Sequence, residues 1–195
     1  MMERTDPQIV FLIRKIKDGD QVALKSLYRR YGELVFRTVC LILSDDGQIE
    51  KVTQDVFVHI FYERLDYYTI DKGDFMTWLN RIIVNICRNT QREWQQHNFS
   101  QEDEFPVDIS PSSTVHTSLD RVLRNERQHR IWNAMQQLSI DLREVVVFSY
   151  FQNLKYNEIA EILDRSIDTV KSLIYAAYVQ IQHILGEDVC ELLSH

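Results

Sequence analysis

The chain has 195 residues, of which 45% are hydrophobic and 11% aromatic, with five Gly and three Pro. That supplies a packed core for one large domain or two of roughly 100 residues each, excludes global disorder, and offers too little turn chemistry for a hairpin-rich protein. The formal net charge of −7 excludes a protein that coats nucleic acid unaided.

Cys40, Cys87 and Cys190 are odd in number, far apart and set in apolar helical patterns, so they read as thiols in a reducing compartment rather than as disulfides. No His or Cys pair has metal-ligand spacing, so neither a structural zinc nor another cofactor is expected. No charged leader with an apolar core and cleavage site is evident, and apolar runs such as residues 39–43 are far too short to span a bilayer. The expectation is a soluble, cytoplasmic protein without membrane insertion.

In chain order, a short amphipathic helix over residues 7–16 precedes Asp18-Gly19-Asp20, which has turn and N-cap chemistry. Leu24, Leu27, Tyr31, Leu34, Val35, Val39 and Ile42 then recur at three and four, predicting a long helix with one buried stripe. Residues 44–47 break it, with Asp46 placed to cap the next. That helix, residues 48–65, buries Ile49, Val52, Val56 and Ile60 with flanking Phe57 and Phe61; Glu50, Lys51, Gln54, Asp55 and Tyr62 lie opposite. A loop carrying Tyr67 and Tyr68 leads into the most informative stretch.

Over residues 75–92, Phe75, Trp78, Leu79, Ile82, Ile83 and Ile86 wind onto one helical stripe, while Arg81, Asn85, Arg88 and Arg92 line a second ridge with no acid among them. A solvated arginine face is the ordinary explanation of such a ridge. A polyanionic partner is the other, and the tyrosines beside it would add a stacking platform for single-stranded nucleic acid.

The pattern stops after Trp94. Residues 98–118 hold Pro106, Pro111, four acids and no lysine or arginine, the composition of a linker without its own core. The second half predicts helices over 119–138 and 141–151, a short one capped by Asn157, and a last one over 169–185 capped by Ser166 or Asp168. Two helices joined by a three- or four-residue turn, with small Ala160 where they cross, make a helix-turn-helix. The expected fold is all-α: two helical domains, residues 1–97 and 119–195, joined by an acidic flexible linker.

Four groups of residues carry a family resemblance: Gly19-Asp20 with Leu27-Tyr28 and Tyr31-Gly32; Glu50 with Thr53-Gln54-Asp55-Val56-Phe57; Phe75 with Trp78-Leu79, Arg81-Ile82 and Asn85; and Glu158-Ile159-Ala160 with Thr169-Val170-Lys171-Ser172. In that order, around an acidic linker, the chain resembles the extracytoplasmic-function sigma factors of bacterial RNA polymerase. The resemblance implies that Glu50, Gln54, Asp55 and Phe57 bind core polymerase. It implies that Tyr67, Tyr68, Trp78, Arg81, Asn85, Arg88 and Arg92 meet the melted minus-ten strand. It further implies that Ser166, Asp168, Thr169, Lys171, Ser172 and Tyr175 meet the minus-thirty-five duplex, and that the linker threads toward the polymerase active-site cleft. Core RNA polymerase and promoter DNA are thus the expected partners, and the resemblance allows for an anti-sigma factor.

Departures from the family pattern are specific. Asn89 stands where the family usually has an acid, Asp164 and Asp168 stand at usual glycines, and the recognition helix keeps Lys171 as its only cation over residues 169–178. A duplex-reading helix without arginine loses its strongest guanine and phosphate partners. The alternative is a sigma-like regulatory interaction protein that binds polymerase or another regulator with impaired promoter reading. No nucleophile–base pair, P-loop or metal cluster stands out, so an enzyme is not expected.

Overall fold

The computed structural model of the chain describes residues 7–43, 46–60, 74–99, 123 and 125–186. Among them there is no strand. The helices are α1 (Pro7–Lys17), α2 (Gln21–Ile42), α3 (Asp46–His59), α4 (Phe75–Phe99), α5 (Glu126–Met135), α6 (Ile140–Val146), α7 (Tyr156–Leu163) and α8 (Ile167–Leu185), with a π-helical turn, Val147–Phe151, directly after α6.

Local chemistry sets most of these bounds. The Asp20 carboxylate accepts the Val22 and Ala23 amides at 2.8 and 3.2 Å and starts α2. Asp74 does the same for α4, accepting from Met76 N and Thr77 N. In the first half Ile9, Ile13 and Ile16 of α1, Leu27, Val35 and Val39 of α2, Val52 and Val56 of α3 and Leu79 and Ile83 of α4 are buried together. Each such aliphatic contributes roughly 1.5–3 kcal/mol on full burial. The Phe75 ring sits between Tyr31 and Trp78, with centroids 5.0 and 5.6 Å away, and ties the start of α4 to α2.

Several elements differ from the sequence-based expectation, each for a local reason. Of the helix expected over residues 119–138, the described part starts at Glu126, where Asn125 takes an extended backbone and its side chain accepts the Gln128 amide; Leu123 is buried without being helical, and residues 119–122 and 124 lie outside the described residues. Asp46 is the first residue of α3 rather than its cap. α4 continues past Trp94 to Phe99. At α7 the start falls two residues earlier than Asn157 implies: Lys155 is the cap position, and the Glu158 carboxylate reaches back to its amide at 2.7 Å. Ser166, not Asp168, caps α8, accepting from Thr169 N at 3.1 Å. The end of the helix expected over 48–65, the tyrosine loop and residues 100–118 of the expected linker lie outside the described residues, while α4 takes in residues 98 and 99.

The two halves share one continuous hydrophobic core. Polar side chains cross between them, and two of these finish helix ends. Arg143 on α6 donates to the Ile42 carbonyl at the end of α2 at 2.8 Å, and Arg81 on α4 donates through Nε to the Glu161 carbonyl in the last turn of α7 at 2.7 Å. Both carbonyls belong to the last helical turn, which has no intrahelical donor, and a cation there also opposes the helix dipole. Each half thus supplies an arginine that closes a helix of the other.

Candidate nucleic-acid interface

α4 carries the arginine ridge. Arg81, Asn85 and Arg92 are exposed, as the spacing predicts, while Phe75, Leu79, Ile83 and Cys87 are fully buried on the opposite side. Trp78 is half-buried against Phe75 and has a structural part as well as the role that the resemblance implies. Tyr67 and Tyr68 lie outside the described residues.

Arg88 departs from the expectation of a ridge open to a ligand. Its side chain is only 19% exposed. Nε donates to Glu144 Oε1 at 2.8 Å and Nη2 to Glu144 Oε2 at 2.6 Å, a two-pronged pair that uses both carboxylate oxygens; Nη2 also lies 3.3 Å from Asp141 Oδ1. Such charge-assisted bidentate pairs are short and directional. Burial works against the Arg88 charge, but the hydrogen bonds and charge of Glu144, with Asp141, outweigh it and raise the guanidinium above its ordinary value. Glu144 is fully buried, and burial pushes its carboxyl up to about 7 against the pull of Arg88. Beside them burial holds the Cys87 thiol far above its ordinary value, with Glu144 and Cys40 adding, so that sulfur is inert.

Around this pair the contact between the halves is polar at its edge. Gln152, directly after the π-helical turn, donates to Thr38 Oγ1 at 3.0 Å and accepts from the buried Asn80 amide at 3.1 Å. A crevice of about 500 Å³ opens next to it, with Arg30, Arg37, Met76, Phe151 and Leu154 among its walls.

In the second half α7 and α8 form a helix-turn-helix. Asp164 closes α7 in the left-handed conformation with φ of 53°, and Arg165 N reaches the Ala160 carbonyl at 3.0 Å. Aspartate is one of the few residues other than glycine that visit this region readily, so the missing turn glycine leaves the motif intact. Ala160 is buried at the helix crossing. Ser166, Asp168, Thr169, Lys171, Ser172 and Tyr175 are all exposed on the outer side of the turn and α8, with Tyr175 at 72%. Lys171 Nζ lies 3.6 Å from Asp168. Leu173 and Tyr178 are half-buried against the core.

On α3, Glu50 and Gln54 are exposed and Asp55 half-exposed, whereas Phe57 is buried and packs its ring against Tyr28 at 4.7 Å. Three of the four positions form a polar surface; Phe57 supports it from beneath. The residues that sequence reasoning passed over are those joining the halves: Glu144, Asp141, Arg143 and Gln152. A signal did exist, since Arg143-Glu144 interrupts an otherwise apolar run and charged residues inside such a run need partners.

A two-domain, all-helical protein with an arginine-ridged helix in one half and a helix-turn-helix in the other defines a class of promoter-reading transcription factor. Comparison with known families is consistent at both ends: Sigma-70 region 2 matches residues 27–96 and Sigma-70 region 4 matches residues 128–181. The chain belongs to the sigma-70 family of RNA polymerase sigma factors, in its extracytoplasmic-function group. Curated relatives include the ECF RNA polymerase sigma-E factor of Escherichia coli (strain K12), 28% identical over 182 residues and covering 91% of this chain and 93% of that one. The RNA polymerase sigma-H factor of Pseudomonas aeruginosa is 26% identical over 178 residues, covering 89% and 91%. Among solved structures, the sigma factor RpoE in complex with the anti-sigma factor NepR from Bartonella quintana superposes with a TM-score of 0.65 at 20% identity, covering 84% of this chain and 97% of that one. CnrH in complex with the cytosolic domain of CnrY gives 0.63 at 22%, covering 90% and 96%. The chain is therefore a transcription initiation factor that directs core RNA polymerase to promoters.

Proposed function

We infer that residues 1–97 form the unit that binds polymerase and reads the minus-ten strand, that residues 98–118 link it, and that residues 119–195 form the minus-thirty-five unit. The single observation that carries this reading is α4: Arg81, Asn85 and Arg92 exposed along one side, Arg88 in line with them, and no acid between residues 75 and 92. A carboxamide hydrogen-bonds base edges and guanidinium pairs with phosphate. If Arg81, Arg88 and Arg92 each neutralise one phosphate of a single strand, the log–log salt slope is only about −2, so polymerase must hold the strand open for this surface to work. That weak charge accords with the acidic net balance of the chain.

Glu50, Gln54 and Asp55 form the polymerase-facing surface in this reading. Ser166, Asp168, Thr169, Lys171, Ser172 and Tyr175 face the upstream duplex, with few charge contacts to offer it. The protein acts without catalytic chemistry of its own, in the cytoplasm where polymerase works; among the described residues no helix is long and apolar enough to cross a membrane. An anti-sigma factor is a further partner, and exposed Tyr175 and the crevice between the halves are surfaces it could use.

Run-off transcription with core polymerase on a library of genomic fragments, beside a polymerase-free gel shift, tests the reading. Specific transcripts together with weak polymerase-free binding are expected. Polymerase binding without any specific transcript would refute promoter direction by this chain.

A further inference from the structure

The outward stripe of α8 lacks the usual reader of guanine. Asp168, Lys171, Ser172, Tyr175 and Val179 recur at three and four along it and are all exposed, and Lys171 is the only lysine or arginine over residues 166–182. The three small hydroxyls at this end are engaged within the helix. Ser166 Oγ accepts the Thr169 amide at 3.1 Å and shares a 2.8 Å hydrogen bond with Thr169 Oγ1, while Ser172 Oγ donates to the Asp168 carbonyl at 2.9 Å. What the stripe holds out to a ligand is then the Asp168 carboxylate, 95% exposed, and the Tyr175 ring, 72% exposed. Lys171 Nζ, 3.6 Å from Asp168, makes a solvated pair of little strength and leaves the carboxylate available.

We propose that α8 reads the upstream duplex through an acceptor and an aromatic ring instead of a guanidinium, Asp168 selecting a cytosine and Tyr175 a thymine about three base pairs along the groove, while Lys155 and Arg165 supply the backbone contacts that the helix lacks. The inference rests on the reading that α8 faces that duplex. In the major groove guanine shows two acceptors, thymine an acceptor and a methyl, and adenine an acceptor beside its donor; cytosine alone shows a donor with no acceptor next to it. A group that only accepts therefore fits cytosine and rejects guanine. Tyr175 lies seven residues on, about 10 Å along the helix and so about three base pairs of duplex, where its ring meets a thymine methyl by apolar contact. Lys155 at the cap of α7 and Arg165 in the turn are both exposed, at the ends of the helix that crosses the backbone in such a motif. A first-turn aspartate also steadies its own helix through the dipole, and the test separates that role from base selection.

The test uses holoenzyme assembled from core polymerase and the full chain. A promoter taken from the run-off transcription library has the base pairs of its upstream element randomised, and the open complexes recovered are sequenced. The wild type is expected to enrich a C·G pair at one position about fivefold or more over its reverse, and a T·A pair about three positions away. Asp168→Asn is expected to replace the first pair by A·T, with adenine on the strand that held cytosine, because a carboxamide pairs with adenine; the T·A preference stays. Tyr175→Ala is expected to lose the T·A preference and keep the C·G pair. Lys155→Ala and Arg165→Ala are expected to lower recovery of all sequences alike and to reduce its salt dependence. Circular dichroism checks that each variant keeps its helical content. Equal loss of every sequence in Asp168→Asn, with base preferences unchanged, assigns Asp168 to the helix alone and overturns the proposal, as does a wild type without the C·G preference. A library that yields no specific transcript overturns promoter direction itself, an outcome distinct from an active promoter with a flat upstream profile.

Discussion

Glu144 makes the stability of this protein depend on pH in a direction opposite to that of most paired carboxylates. Its carboxyl is pushed up to about 7 by burial, from an ordinary value of 4.5, with Arg88 pulling it back and Asp141 and Arg165 as minor contributors. Cys87 and Arg143 also face or flank it, the first uncharged and the second lowered by burial but cationic throughout the range. A folded-state value above the unfolded one means that the folded chain binds the proton more tightly. The associated stability is then complete below about pH 4.5 and is lost as pH rises through about 7. One proton gives a slope of at most about 1.4 kcal/mol per pH unit, or on the order of 3 kcal/mol across the whole interval. Urea denaturation at pH 5.5, 7 and 8.5 measures it, with Glu144→Gln as the reference that carries no titrating proton at this position. The wild-type midpoint is expected to fall relative to Glu144→Gln as pH rises. Parallel curves for the two proteins would refute the reasoning, and a wild type that gains on the variant with rising pH would show that Arg88 outweighs burial.

Asn85→Ala is expected to impair open-complex formation on a promoter while leaving polymerase affinity nearly intact; equal loss of both, by permanganate footprinting and a pull-down, would make the residue structural. Lys171→Ala is expected to weaken protection of the upstream element only modestly in footprinting, because Lys171 is the one cation of residues 169–178 and already lies near Asp168. Phe75→Ala should cost about 3–5 kcal/mol in denaturant unfolding, since a fully buried ring against Tyr31 and Trp78 leaves a cavity. Asp164→Gly should be neutral or stabilise by less than about 1 kcal/mol, whereas Asp164→Val should destabilise by about 1–2 kcal/mol, because only the first relieves a φ of 53°; thermal melts distinguish them.

The periodicity of residues 24–42 and 75–92 determined α2 and α4 and their buried stripes, because a 3.6-residue repeat of apolar side chains has one low-energy solution in water. Asp20, Asp74 and Ser166 are caps by local chemistry alone, and family motifs legible in order along the chain placed the arginine ridge and the helix-turn-helix. Local competition was harder to read. Asn125 decided the start of α5, and Glu158 rather than Asn157 decided the start of α7, since each depends on which of several nearby polar groups satisfies an amide.

What tertiary structure alone decided is the fate of the ridge. From sequence, Arg81, Asn85, Arg88 and Arg92 are four equivalent positions on one helix side. Packing of the second half separates them: Asn85 and Arg92 stay exposed, Arg81 closes the end of α7, and Arg88 is taken by Glu144 from 56 positions away in the chain. Helical spacing determines which side chains share a face, because that is a property of the backbone repeat. Which of them is free for a ligand depends on what long-range packing lays over that face, and no repeat within the helix encodes it.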